Sequence, residues 1–127
     1  IVCGHTDCGA IKGALDLSAL NGLPHVVEWL SHCRSAMEIV RERNNIPHDH
    51  SIDSGYMNEA IEENVLQQVQ HIRTHPAVAA KLATNKIELH GWIYNIKTGG
   101  VICCSNNQTN FTDIEDAYKD IVENLSD

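Results

Sequence analysis

The sequence predicts an α/β fold, with a mostly parallel central sheet, helices on both faces and an antiparallel edge strand. Three observations carry that prediction. "KIELHGWIYNI" reads as a strand with Ile87, Leu89 and Ile93 on one side and Trp92, Tyr94 and Ile96 on the other. Apolar residues on both sides imply a strand covered on both faces. The order of segments is strand, helices, strand, hairpin strand, helix, which is the alternation of α/β architectures. Finally, "VICC" follows the turn-forming "KTGG", so it pairs back antiparallel and supplies the edge strand near 101–104.

The elements follow in order. "IVCG" reads as the tail of a buried strand. A tight loop comes next, in which Gly4 and Gly9 permit a sharp turn, and "CGAIKG" opens a helix. From Pro24, "PHVVEWLSHCRSAMEIVRER" carries Val26, Leu30, Cys33, Met37 and Val40 at helical spacing, with the proline in the first turn. "NNIPHDHSIDSG" is a polar loop. The next helix places Ile61, Val65, Val69 and Ile72 on one face and stops near "THP", because Pro76 disfavours helix before it. "AVAAKLA" adds a short helical turn. Thr112 and Glu115 in "TDIE" have capping-box spacing. The last helix then aligns Ile114, Tyr118, Ile121 and Leu125.

Composition excludes several classes. The 127 residues fit one domain, 1–127, with enough chain to bury a core. A formal net charge of −8 argues against nucleic acid as a partner. No apolar run approaches the length needed to cross a bilayer, and no basic-then-apolar leader is visible. Five cysteines, an odd number in a chain that is not loop-rich, point to reduced thiols and a cytoplasmic or organelle interior rather than a disulfide framework. The chain starts at Ile1 in what reads as a strand end, so it is expected to be an N-terminally incomplete piece of a longer protein.

The chemistry concentrates in "VCGHTDCGAIKG". His5 and Cys8 are two residues apart, and an imidazole and a thiolate can converge on one ion from a single turn. That donor pair suits Zn²⁺ in tetrahedral geometry, of which it is half.

The longer string settles the context. "CGHTDCGAIKG" after an apolar strand, then "ENVLQQVQHIRTHPAV", then "KIELHGWIYNIKTGGV" resembles the β-class carbonic anhydrases in order and spacing from Ile1 to about Val101. The resemblance implies zinc held by Cys, His and Cys, with His5 and Cys8 as the second and third ligands. The first ligand belongs to a C-x-D-x-R segment that is absent here, together with an Asp–Arg pair that orients the zinc-bound oxygen. The implied activity is reversible hydration of CO2 to bicarbonate and a proton, in a homodimer or higher homo-oligomer. Gly9 is expected to bring a backbone N–H to the reacting oxygen at a helix start that favours negative charge; simple turn geometry is the other reading of that glycine, and both can hold.

The remaining candidates have blander readings. Cys3 is expected to be a buried structural thiol. Asp7 is expected to face solvent or cap the loop rather than act as a base. His48, His50 and Asp53 fall in a solvated loop. His71 and His75 are four apart but lack the glutamate of the H-E-x-x-H signature. His90 reads as a strand residue, and Cys103 and Cys104 as thiols on a buried strand. Two rival functions remain open. One is a non-catalytic scaffold or binding module that lost its first ligand. The other is a thiol redox protein using Cys3 and Cys8, against which stands the missing C-x-x-C.

Overall fold

The computed structural model describes residues 1–105 and 109–125. Its sheet begins with Val2–His5 (β1), which lies parallel to His90–Tyr94 (β2), Cys3 opposite Trp92 and His5 opposite Tyr94. Val101–Ser105 (β3) returns antiparallel to β2, with Cys103 opposite Trp92 and Cys104 opposite Gly91. The turn between them is the predicted one. Asn95 Oδ1 accepts from the N–H groups of Lys97 and Thr98 at 3.0 and 3.2 Å, and Gly99 takes φ +75°.

The α/β class stands, with two corrections to its sheet. Among the described residues the sheet is mixed rather than mostly parallel, in the order β1-β2-β3-β4, and only β1 and β2 run parallel. The strand at 101–105 is not its edge, because Thr112–Asp113 (β4) pairs outside it. The cause is connection length. Helices intervene only between β1 and β2, and a parallel pair needs such a crossover, whereas short returns give antiparallel neighbours.

Helices follow β1. They are Gly9–Leu15 (α1), Pro24–Leu30 (α2), Arg34–Asn44 (α3), Met57–Arg73 (α4) and Pro76–Ala83 (α5). The single helix predicted from Pro24 is interrupted by a 3₁₀ turn at Ser31–Cys33. Gln68 Nε2 donates to the His32 carbonyl at 2.9 Å, taking an acceptor that a continuous α-helix would use itself. The final predicted helix is also split, into Ile114–Ala117 (α6) and Lys119–Leu125 (α7). Its cap is Asp113, whose Oδ1 accepts from Glu115 N at 3.1 Å, and not Thr112, which pairs in β4. Ile121 and Leu125 are exposed, so the predicted apolar stripe does not bury.

The core lies between the sheet and α1, α3 and α4. Ile11, Leu30, Met37, Val40, Ile61, Val65 and Ile93 are all buried in it, each contributing on the order of 1.5–3 kcal/mol of apolar transfer. Ala36 and Ala60 have no exposed surface, which lets α3 and α4 approach closely. Val69 is buried as predicted, but Ile72 is 40% exposed because α4 has run beyond the sheet by then. Among the described residues no helix is long and apolar enough to cross a membrane.

Helix cover on the opposite face is partial. α6 packs on β3, and Trp92 Nε1 donates to Tyr118 Oη at 3.1 Å, with His90 Nδ1 2.9 Å from the same oxygen. Along β1 that face is open: Cys3 and His5 are exposed. Helices on both faces therefore describes β2 and β3, not β1. The expectation of a buried Cys3 is corrected for the same reason: alternation along β1 points Val2 and Gly4 toward α4 and Cys3 away from it.

Candidate metal centre

His5 ends β1 and Cys8 caps α1, so the two predicted ligands flank one short turn. The sharp bend falls on Asp7, at φ +51°, rather than on Gly4 or Gly9, neither of which has a positive φ. A short polar residue is among those that tolerate that conformation. Two hydrogen bonds tie the turn to the end of β2. Thr6 N donates to Tyr94 O at 2.9 Å, and Ile96 N donates to Thr6 Oγ1 at 3.1 Å. Asp7 faces solvent as predicted, with Lys97 Nζ 3.7 Å from its carboxylate.

The side chains suit a metal. His5 Nδ1 lies 2.8 Å from the Thr6 carbonyl oxygen. Donation of Nδ1–H to that oxygen fixes the tautomer and leaves the Nε2 lone pair for an ion, the outer-shell arrangement common to histidine ligands. Cys8 is half-buried against the core, and its carbonyl accepts from Lys12 N at 2.9 Å, which anchors the residue through the first turn of α1. Gly4, expected in the turn, instead belongs to β1. A Cβ there would stand 2.8 Å from Val65 Cγ2, so glycine is what lets α4 press on the strand that carries His5. At Gly9 a Cβ would meet nothing within 4 Å. Neither crowding nor φ calls for glycine there, which removes simple turn geometry as its reason.

Among the described residues no three His, Cys, Asp or Glu side chains gather into a complete metal site. His5 and Cys8 fit the histidine and one thiolate of a zinc tetrahedron, and the remaining donors are not assigned. Cys33 lies close enough to Cys8 to feel it: burial pushes its thiol up, and the neighbouring Cys8 adds to that.

Most of the other sequence candidates have partners elsewhere. His48 Nδ1 sits 3.1 Å from Glu38 and His50 Nδ1 2.9 Å from Asp49, while Asp53 caps the turn at 54–56. His71 contacts Gln68, and His75 starts α5 through its backbone carbonyl, with no capping bond from its ring. His90 bridges Tyr118 and Glu88, as a strand residue would. Cys103 and Cys104 are buried and free. Burial raises the pKa of both thiols, so less of each is thiolate at a given pH. Native chain treated with an aromatic disulfide near about pH 8 should therefore react fast at exposed Cys3 and spare Cys103 and Cys104 until denaturant is added. Equal rates at all three would contradict their burial.

Sequence spacing missed Thr6 as the link to β2 and Tyr118 as the partner of Trp92 and His90. Neither carries a local signal, since Thr6 and Ile96 are 90 positions apart and Tyr118 lies 26 and 28 positions from Trp92 and His90.

Residues 1–101 match the protein-family model described as carbonic anhydrase. The carbonic anhydrase of Pseudomonas aeruginosa is 36% identical over 101 residues, covering 80% of this chain and 44% of that protein. That of Synechocystis is 38% identical over 103 residues, covering 80% and 36%. Among solved structures, the β-carbonic anhydrase CcaA superposes with a TM-score of 0.77 at 33% identity, over 87% of this chain and 48% of that one. The Coccomyxa β-carbonic anhydrase in complex with acetazolamide gives 0.61 at 29% identity, over 92% and 50%. The chain thus spans less than half the length of these two curated relatives. With the H-x-x-C turn at the end of β1 and the L-H-G-W-x-Y strand beside it, the chain belongs to the β-class carbonic anhydrase family.

Proposed function

We propose that this chain is part of a zinc-dependent carbonic anhydrase that interconverts CO2 and bicarbonate. The observation that carries the reading is His5, whose Nδ1 is held by the Thr6 carbonyl while Nε2 is left for a metal, one turn from the half-buried Cys8 thiol. Zinc held there supplies an acidified water near neutral pH. The chain's own residues position and surround it. Thr6 holds the turn against β2, Cys8 fixes a thiolate at the start of α1, and Gly9 leaves room for substrate beside a backbone N–H that has no intrahelical acceptor. A reducing interior, cytoplasmic or within an organelle, keeps the thiolates available as ligands. The exposed Val26 and Trp29 on α2, with Leu23 just before it, support assembly into a homo-oligomer.

The test measures zinc content and stopped-flow CO2 hydration. It uses this chain by itself and the full product of its gene. Activity in the full product, sensitive to a sulfonamide, is the expected result. Zinc-replete protein without hydration would favour the non-catalytic module instead.

The pH profile follows from the donors. Two thiolates offset a divalent ion's formal charge, so they acidify water less than three neutral imidazoles do. Hydration should therefore climb from about pH 7 to about pH 9. A flat profile, or a maximum on the acid side, would count against two thiolate ligands.

A further inference from the structure

The 3₁₀ turn between α2 and α3 stands over α4, and beside the two lies a shallow, open cleft of about 460 Å³. Its lining is Ser31, His32, Arg34, Ser35, Glu38 and His71, and it includes none of His5, Cys8 and Gly9. Most of these groups donate hydrogen bonds, and several have nothing to donate to. Among the described residues the Ser31 hydroxyl and the Arg34 guanidinium have no hydrogen-bond or ion-pair partner, and the His32 ring has only an edge contact with Trp29. Ser35 Oγ is buried without a partner.

The one acid on the lining, Glu38, is already engaged. Its Oε2 is 3.1 Å from His48 Nδ1 and its Oε1 3.9 Å from Arg41 Nε. Gln68 holds the two imidazoles in one frame: its Nε2 donates to the His32 carbonyl at 2.9 Å, and its Oε1 faces His71 Nδ1 at 3.3 Å. The chain as a whole carries 17 acids against 9 bases. A cleft with an unpaired arginine and no free carboxylate runs against that background.

We propose that this cleft binds a phosphate group, whose several acceptor oxygens and double charge match an arginine, two imidazoles and two hydroxyls. Arg34 makes the charge-assisted contact. His71 and His32 donate from every ring nitrogen once protonated. Rotation about χ1 turns the orphaned Ser35 hydroxyl toward the ligand. The charged groups on the lining beside the imidazoles are Arg34 and Glu38.

Isothermal titration of the full chain with inorganic phosphate, at constant ionic strength, is the experiment. Saturable one-site binding is expected, of millimolar order, about −4 kcal/mol. Arg34→Gln should weaken it about tenfold or more, and Arg34→Lys should restore part of the loss. His71→Gln should also weaken binding, by less than Arg34→Gln does, because it removes one hydrogen-bond donor from the lining and leaves the guanidinium in place. Arg34 and His71 are exposed, so these variants keep the fold. Phenyl phosphate binding above inorganic phosphate would identify an organic phosphate as the ligand, and equal binding the free ion. Unchanged affinity in Arg34→Gln, a signal that never saturates, or tighter binding of bicarbonate than of phosphate would overturn the proposal.

Discussion

Cys8→Ser, made in the enzyme that carries this chain, will lose its zinc and its CO2 hydration together. Serine offers a neutral hydroxyl where zinc needs a thiolate, and it leaves the ion with one protein donor from this turn. Removing an outer-shell partner of a metal ligand costs about 10–100-fold in affinity or activity, so losing a ligand outright should exceed about 100-fold. Cys8 also packs on the core, and a half-buried hydroxyl there would cost up to about 1 kcal/mol, which confuses metal loss with unfolding. His5→Gln separates the two. His5 is exposed and has no packing to lose, so it should show the same loss of zinc and rate, while its metal-free form melts at the same temperature as the metal-free native protein. Thr6 contributes through the turn, and Thr6→Val should lower zinc affinity less than either ligand change, because it removes only the bond from Ile96 N. Full zinc occupancy and wild-type rate in both Cys8→Ser and His5→Gln would refute the assignment.

Much of this was legible in the chain, for identifiable physical reasons. The H-x-x-C turn, the helix bearing Ile61, Val65 and Val69 and the hairpin at 97–100 are local patterns, in which the residues that signal an element also form it. What failed was non-local. Cys3 reads as buried from its apolar neighbours, yet β1 lacks cover on that face among the described residues. The break at Ser31–Cys33 depends on Gln68, which is 36 positions away from His32. The end of the last helix has regular spacing, but Tyr118 is drawn to Trp92 and His90 and the helix divides there. At the candidate site, spacing singled out His5 and Cys8 but could not find the Thr6 carbonyl beside the imidazole, because any residue type offers a carbonyl. Glycine misled in the opposite direction. Gly4 and Gly9 looked like turn residues, while the bend sits on Asp7 and Gly4 is a packing residue.

Gly4→Ala will destabilise the fold by about 1–3 kcal/mol, the cost of forcing an extra methyl into a packed interior. Its Cβ would lie 2.8 Å from Val65 Cγ2 and 3.6 Å from Ile61 Cγ2, both on buried side chains that cannot swing into solvent. Gly91, the neighbour of Val2 across the β1–β2 pair, faces the same crowding, 2.9 Å from Val65 Cγ1 and 3.0 Å from Cys104 Sγ. One valine on α4 therefore rests on both glycines and fixes the distance between helix and sheet. The clash is specific to that valine, so Val65→Ala should relieve it. Gly4→Ala should cost at least about 1 kcal/mol less in a Val65→Ala background than in the native one, a coupling of the size seen for residues in contact. Denaturant melts of the four proteins in the cycle measure it. Strict additivity would mean that α4 gives way freely, and glycine at position 4 would then need another explanation. The consequence reaches the metal centre, because His5 follows Gly4 directly. If α4 pushes β1 outward, the imidazole moves with it, and Gly4→Ala should lose zinc affinity that Val65→Ala restores, even though neither residue touches the ion.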